Sequence, residues 1–362
     1  MGARISQEVA MDRHPKTGLH YIHVVPAEWG PFVDVRAALT AVAGRHSWMS
    51  VIHPGRFHGM MDASPERQDP NVMFVDWSST NPTIPGPANR KCLVAVVYVE
   101  SVGDRKNMLE AHVAHCERLR HNLHMYDAVL AHTPWVISRI GAAGGMPTYL
   151  YPLGWDSESA GLPRFDACKD KDFVFYGSMA GKRELVFPYL KEKLGHRLKF
   201  ISGTFGRSLQ GALDESKASL HIAHSDVESF PQWRTWQAIS TSAALVTEKA
   251  DIWPLEANRH CIVIERVTLG NACKSVETLR DIVDNYDLLS VARRCHEEIG
   301  RKFTVEKCIE NYLVPASLSM LESRKNADFD REESNSIQKD PSSSSPGTDG
   351  DDQLRSSAEG DD

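Results

Sequence analysis

Short apolar runs alternate with longer stretches of helical spacing along most of the chain. LHYIHVVP (19–26) predicts a first strand. Residues 31–44 follow with Val35, Leu39 and Val42 on one helical face and Gly44 as a stop. SWMSVIH (47–53) and NVMFVDW (71–77) predict two more strands, separated by a loop over 54–70 that is rich in Pro, Gly and charge. Three prolines make 81–90 an extended loop. KCLVAVVYVES (91–101) is almost wholly apolar, as a strand covered on both faces of a parallel sheet must be. Leu109, Val113, Cys116, Leu119 and Leu123 set a helical period over 106–126. Strand DAVLAHT (127–133), a helix over 135–145 and strand PTYLYPLGWD (147–156) close this half.

The second half repeats the alternation. DFVFYGS (172–178), RLKFISG (197–203) and ASLHIAH (218–224) are strands reached through helix-like segments, and ALVTE (244–248) and CIVIE (261–265) follow. Strand–helix–strand units at this spacing predict a parallel sheet with crossover helices. In such sheets ligands gather where strands end and helices begin. Gly177, Gly203 and the polar run from His224 to Arg234 stand at those exits. Helices are expected over Ser275–Tyr286, Leu288–Gly300 and 304–323, the last broken near Pro315. From about Arg324 the chain turns charged and then rich in Ser, Asp and Gly, with few apolar residues to offset the entropy of ordering, so a disordered tail is expected.

Composition narrows the function classes. The 362 residues suggest two domains. The net charge is −7, and residues 323–362 carry five basic against eleven acidic residues, which leaves the body near neutral. A near-neutral body argues against general nucleic-acid binding through a basic surface. Seven cysteines without a CxxC pair fit a reducing compartment, and no run approaches the apolar length of a membrane span. A soluble, cytoplasmic protein is expected.

Tyr176-Gly177-Ser178, then Lys182-Arg183, then Glu228-Ser229-Phe230-Pro231, Arg234 and Leu245-Val246-Thr247-Glu248 occur in an order and spacing that resemble the donor-binding half of GT-B glycosyltransferases. The spore-maturation-type branch of the group 1 enzymes is the most similar, over about residues 125–320. Pro152-Leu153-Gly154-Trp155-Asp156 resembles the turn that closes the first half in that fold, with a linker at about 154–170. The resemblance implies an α/β chain of two Rossmann-like domains facing across a cleft. They are an acceptor-side domain over 18–155 and a nucleotide-sugar-binding domain over 156–322, with a flexible leader over 1–17 and a disordered acidic tail over 323–362. It also implies transfer of a sugar from a nucleotide-diphosphate donor to an acceptor hydroxyl, with retention, and no obligatory metal or other cofactor.

Chemistry on these residues follows from the leaving group. Transfer places negative charge on a diphosphate, so the site must offer N–H donors and cations. Gly177 and Ser178 let the backbone approach an anion, and the helix starting near Gly181 aims free N–H groups at the same place. Lys182 and Arg183 at that helix start bind phosphate on this reading, or form a solvated basic helix start on the plainer one. The Glu228 loop is assigned to the reacting centre, with Ser229 and Phe230 near the free N–H groups of the next helix and Arg234 suited to bidentate contact with phosphate. The alternative is a charged cap. Gln237 stands where the family places a ribose-binding Glu and accepts more weakly, being uncharged. Gly203 shapes a base pocket or is an ordinary turn. At strand exits of the first half, His132 is the leading catalytic helper, ahead of Glu100 and His53. His112, Cys116, His121 and His124 lie too far apart to complete one metal site, so a solvated helix face is expected there. A GT-B-like scaffold without catalysis is the alternative, favoured by Gln237 and by the lack of G-x-G-x-x-G after the first strand.

Overall fold

A computed structural model describes residues 11–26, 32–62, 68–77, 84–98, 121–138, 146–223 and 232–337. Two parallel sheets hold the strands. The first contains β1 (His20–Val24), β2 (Met49–Ile52), β3 (Val72–Asp76), β4 (Leu93–Tyr98), β5 (Ala128–Ala131) and β6 (Thr148–Leu150), in the order β2-β1-β3-β4-β5-β6. The second contains β7 (Lys171–Tyr176), β8 (Leu198–Ile201), β9 (Ser216–His221), β10 (Ala244–Glu248) and β11 (Ile262–Ile264), in the order β11-β10-β9-β7-β8. Every residue of β1, β3, β4, β5 and β10 is buried, which is why these strands read as unbroken apolar runs.

The helices lie on both faces of the second sheet. α1 (Phe32–Arg45) and α2 (Pro54–Met61) belong to the first half, and α3 (Ser157–Ala160) to the linker. α4 (Lys182–Leu194), α5 (Gly206–Asp214) and α6 (Gln232–Ser240) are the crossovers of the second half. Then come α7 (Ala272–Asn285), α8 (Leu288–Arg294), α9 (Val305–Cys308) and α10 (Val314–Ile337). The alternation of β7 sorts the layers. Phe173 and Phe175 pack into a core with Val186, Phe187 and Leu190 of α4, while Val174 and Tyr176 pack on Leu209 and Leu213 of α5.

Strand order fixes where a ligand can enter. β7 lies between β8 and β9, so successive connections leave it in opposite directions and open a crevice beyond its C-terminal end. β1, between β2 and β3, plays the same part in the first sheet.

The linker is built on close backbone contact. Trp155 N–H donates to Phe303 O at 2.9 Å and Val305 N–H to Trp155 O at 3.0 Å. A Cβ on Gly154 would lie 2.4 Å from Val305 Cα, so only glycine fits. On the other side Leu153 N–H donates to Gln232 Oε1 (3.1 Å) and Trp236 Nε1 to Leu153 O (2.9 Å), which gives Trp236 a packing role. The C-terminal elements return to the first sheet. Tyr21 Oη lies 3.2 Å from Ser317 Oγ, and Tyr149 Oη lies 2.9 Å from Ser319 Oγ.

Several expectations change. The stretch expected as loop contains α2, whose Phe57 and Met61 are buried, with Pro54 at its start and His53 accepting from Gly55 N–H as a cap. Pro315 is the second residue of α10, which runs on without interruption from a π-helical turn over Ile309–Leu313, so the expected break is a local widening of a continuous helix. Helix α10 continues to Ile337, into the stretch expected to lack structure. His14, expected in a loose leader, is buried with Nε2 2.9 Å from Glu310 Oε1. Most of the helix expected over 106–126 lies outside the described residues, and Leu123–Met125 form a 3-10 turn.

Gly154→Ala is expected to cost about 2 kcal/mol or more, because the clash is with backbone that cannot rotate away. Gly44→Ala, in α1 with open space around it, is expected to leave Tm unchanged or slightly raised. Thermal unfolding of the two variants checks this, and equal Tm values would refute the linker contact.

Candidate active site

At the mouth of the second crevice the chain leaves β7 at Tyr176 and turns through Gly177, whose φ is +123°. Two guanidinium groups converge there. A Cβ on Gly177 would sit 3.0 Å from Arg234 Nη2 and 3.6 Å from Arg183 Nη1. Arg183, 2% exposed, bridges the crevice: its Nε donates to Ile222 O beyond β9 at 2.6 Å and its Nη1 to Ser178 O at 3.1 Å. Arg234 rises from the first turn of α6 and is 5% exposed. Its Nη2 donates to Tyr176 O (2.8 Å), and its Cζ lies 3.7 Å from the centre of the Tyr176 ring. Its Nε and Nη1 are buried and have no partner among the described residues. A buried guanidinium with two unpartnered nitrogens is a standing cost that an anion would remove.

Tyr176 ties this niche to α6. Its hydroxyl donates to Gln237 Oε1. Burial raises its pKa above the usual tyrosine range, against the lowering pull of Arg234. Gln237 therefore spends its carbonyl on Tyr176. Lys182 is paired with a carboxylate of the chain. Its Nζ lies 2.9 Å from Glu248 Oε1, and Glu248 also accepts from Ala223 and Val267 N–H. Gly203 turns with φ +66° in the loop before α5, with open space where a Cβ would be. Glu228, Ser229 and Phe230 lie outside the described residues, as does Glu100.

At the C-terminal edge of the first sheet stands His132, just beyond β5 and 4% exposed. Its Nδ1–H donates to Tyr151 O at 2.9 Å, which fixes the tautomer and leaves a lone pair on Nε2. That Nε2 is buried without a partner among the described residues. The ring stacks on Trp77, with centroids 5.8 Å apart. Burial pushes the His132 pKa down to about 4, so near neutral pH it accepts hydrogen bonds and carries no charge. Sequence reasoning passed over His23 and Trp77. Trp77 Nε1 donates to His23 Nδ1 at 3.1 Å, and His23 Nε2 is likewise buried without a described partner. Burial pushes His23 down to about 3. Only its place beside apolar residues in a buried strand, which also holds His20, hinted at it.

A cavity of about 210 Å³ adjoins the niche, walled by α1, the linker, α5 and α6. Trp155, Trp233, Trp236 and Leu209 make it largely apolar, and Asp34, Arg207 and Gln237 supply its polar edge. Asp34 accepts the Gly206 N–H, and burial raises its pKa above the usual carboxylate range. Among the described residues no three His, Cys, Asp or Glu side chains are grouped to hold a metal, and no helix is long and apolar enough to cross a membrane.

No protein-family profile matches the chain, and no curated protein is similar to it. Solved structures are. The glycosyltransferase AviGT4, involved in avilamycin A biosynthesis, is similar at TM-score 0.56 and 11% identity, over 84% of this chain and 98% of its own. Anabaena HepE in complex with UDP-glucose gives 0.55 and 11%, over 84% and 99%. TarM gives 0.54 and 12% over 69% of this chain, which spans only 55% of the TarM chain. With two parallel sheets meeting at a linker and a C-terminal helix returning to the first, the chain has the GT-B fold.

Two outcomes follow from this geometry. Pyrophosphate at about 100 times its Kd is expected to stabilise the protein by about 2.7 kcal/mol, and Arg234→Met to abolish that gain in thermal shift. Equal shifts in both proteins would contradict the anion niche. His23 and His132 titrate lower folded than unfolded, so their contribution is complete above about pH 6.5 and falls as pH drops towards their folded values of about 3 and about 4. His132→Gln is expected to flatten the acid limb of stability by up to about 3 kcal/mol, measured by denaturant unfolding from pH 7 to 4.

Proposed function

We propose that the chain is a glycosyltransferase that moves a sugar from a nucleotide-diphosphate donor to an acceptor hydroxyl with retention. The observation that carries this is the buried, half-satisfied Arg234 guanidinium beside Gly177, at the switch point of the second sheet of a GT-B fold. Residues 18–155 are the acceptor side on this reading and 156–322 the donor side.

As the bond from the anomeric carbon to the donor phosphate breaks, charge grows on the diphosphate. Arg234 Nε and Nη1 are the donors available to stabilise it, and their effect is large because burial keeps water away. Arg183 holds the two sides of the crevice together. His132 Nε2 is assigned to accept a hydrogen bond from a sugar hydroxyl, a role that its neutral state permits. Glu228, with the adjoining Ser229 and Phe230, is assigned to the donor sugar. The acceptor oxygen attacks the same face that the leaving group departs, and its proton passes to a diphosphate oxygen. The reaction needs no metal on this reading. A reducing cytoplasm suits the six free cysteines among the described residues.

One observation favours a second reading, a nucleotide-binding scaffold without turnover. Gln237 carries no charge, and its carbonyl is taken by Tyr176 rather than left for ribose. Calorimetry and donor-hydrolysis assays separate the two. The transferase reading expects nucleoside diphosphate binding to weaken at least about tenfold in Arg234→Ala, the size of one lost charged hydrogen bond. It also expects Glu228→Gln to lower kcat with little change in binding. Binding without turnover of any donor, unaffected by Glu228→Gln, would establish the scaffold.

A further inference from the structure

We propose that Asp34 is a specificity residue that makes the donor a guanine nucleotide, with the cavity between α1, the linker, α5 and α6 taking the base. This inference rests on the nucleotide reading of the Arg234 niche. It departs from the solved relatives, which include complexes with UDP and UDP-glucose.

The first observation is an unexplained carboxylate. Asp34 lines the cavity, is half-buried, and receives one hydrogen bond from the Gly206 N–H. No cation is paired with it among the described residues. A carboxylate in such a place favours a ligand that brings N–H donors, because each oxygen can accept more than one bond.

The second observation is the shape and lining of the space. Trp155, Trp233, Trp236 and Leu209 line about 210 Å³ with largely apolar surface, room enough for a planar ring. The third is its position. Tyr176 links niche and cavity wall: Arg234 lies on its ring and Gln237, which lines the cavity, receives its hydroxyl. One phenol ring is about the breadth of the ribose that joins a base to its phosphates. A nucleotide with its diphosphate at Gly177 would extend its base past Gln237 towards Asp34.

The edges of the bases decide among them. Guanine alone offers two adjacent donors, N1–H and N2–H₂, to a carboxylate, and its O6 and N7 suit the Arg207 guanidinium that lines the same cavity. Uracil flanks its single N–H with two carbonyl oxygens, which a carboxylate repels. Adenine and cytosine each present one amino group beside an acceptor nitrogen.

The test is calorimetric titration of the full-length protein with GDP, IDP, UDP, ADP and CDP, repeated on Asp34→Asn. IDP lacks only the N2 amino group. Wild type is expected to bind GDP most tightly and IDP about tenfold more weakly, and the gap is expected to shrink below about twofold in Asp34→Asn. A merely structural role for Asp34 would weaken both ligands together and leave the gap intact, which would overturn the proposal. So would tighter binding of UDP, ADP or CDP than GDP by wild type, while the transferase reading stood. The wild-type ranking alone decides if the variant fails to fold. Binding of none of the five would overturn the nucleotide reading itself, and this proposal with it.

Discussion

Burying a guanidinium without a counter-charge is expensive, and among the described residues Arg234 has none. Stacking on the Tyr176 ring and one bond to the Tyr176 carbonyl recover part of that expense. Nε and Nη1, with three N–H bonds between them, remain unmet among the described residues. The rest of the niche holds this charge in place. Gly177 removes the side chain that would displace it, and Arg183 ties the loop after β7 to the end of β9. A site organised in this way is poised for charge that arrives from outside, and phosphate is the chemistry that fits it.

Holding the two halves in register is the second requirement. Gly154 and Trp155 form a backbone seam with Phe303–Val305, and α6, which carries Arg234 and Gln237, is bonded to the same linker through Gln232 and Trp236. Arg45 at the end of α1 reaches Asp156 and Glu306, so the first half meets the seam as well. The helix that presents the niche is therefore anchored where the halves join. A change in their relative setting would reach Arg234 and Asp34 together.

Much of this was legible in the sequence. Parallel strands buried on both faces are continuous apolar runs, so DFVFYGS and KCLVAVVYVES declared themselves, and glycine after a strand marked the crevice. PGRFHGMM did not read as a helix, because Pro54 and two glycines look like a loop until Phe57 and Met61 are seen to be buried. Arg234 and Arg183 were legible as phosphate candidates, but which cation faces the niche was not. Lys182, equally basic and one residue from Arg183, is drawn to Glu248, a partner distant in sequence. Tyr176 was legible as part of the strand-end motif but not as the ring that carries Arg234, and Asp34 gave no signal, since these roles arise from a stacked ring and from a helix of the first half touching the start of α5. His132 stood out at a strand exit, whereas His23 was hidden within its strand.

The central claim is that Arg234 seats a diphosphate over Gly177. Its most direct test is a crystal structure of the protein with a bound nucleoside diphosphate. The account predicts phosphate oxygens within hydrogen-bond distance of Arg234 Nε or Nη1 and against the Gly177 backbone, with the Tyr176 stack preserved. A diphosphate bound elsewhere, or an Arg234 turned away to a carboxylate of its own chain, would contradict it.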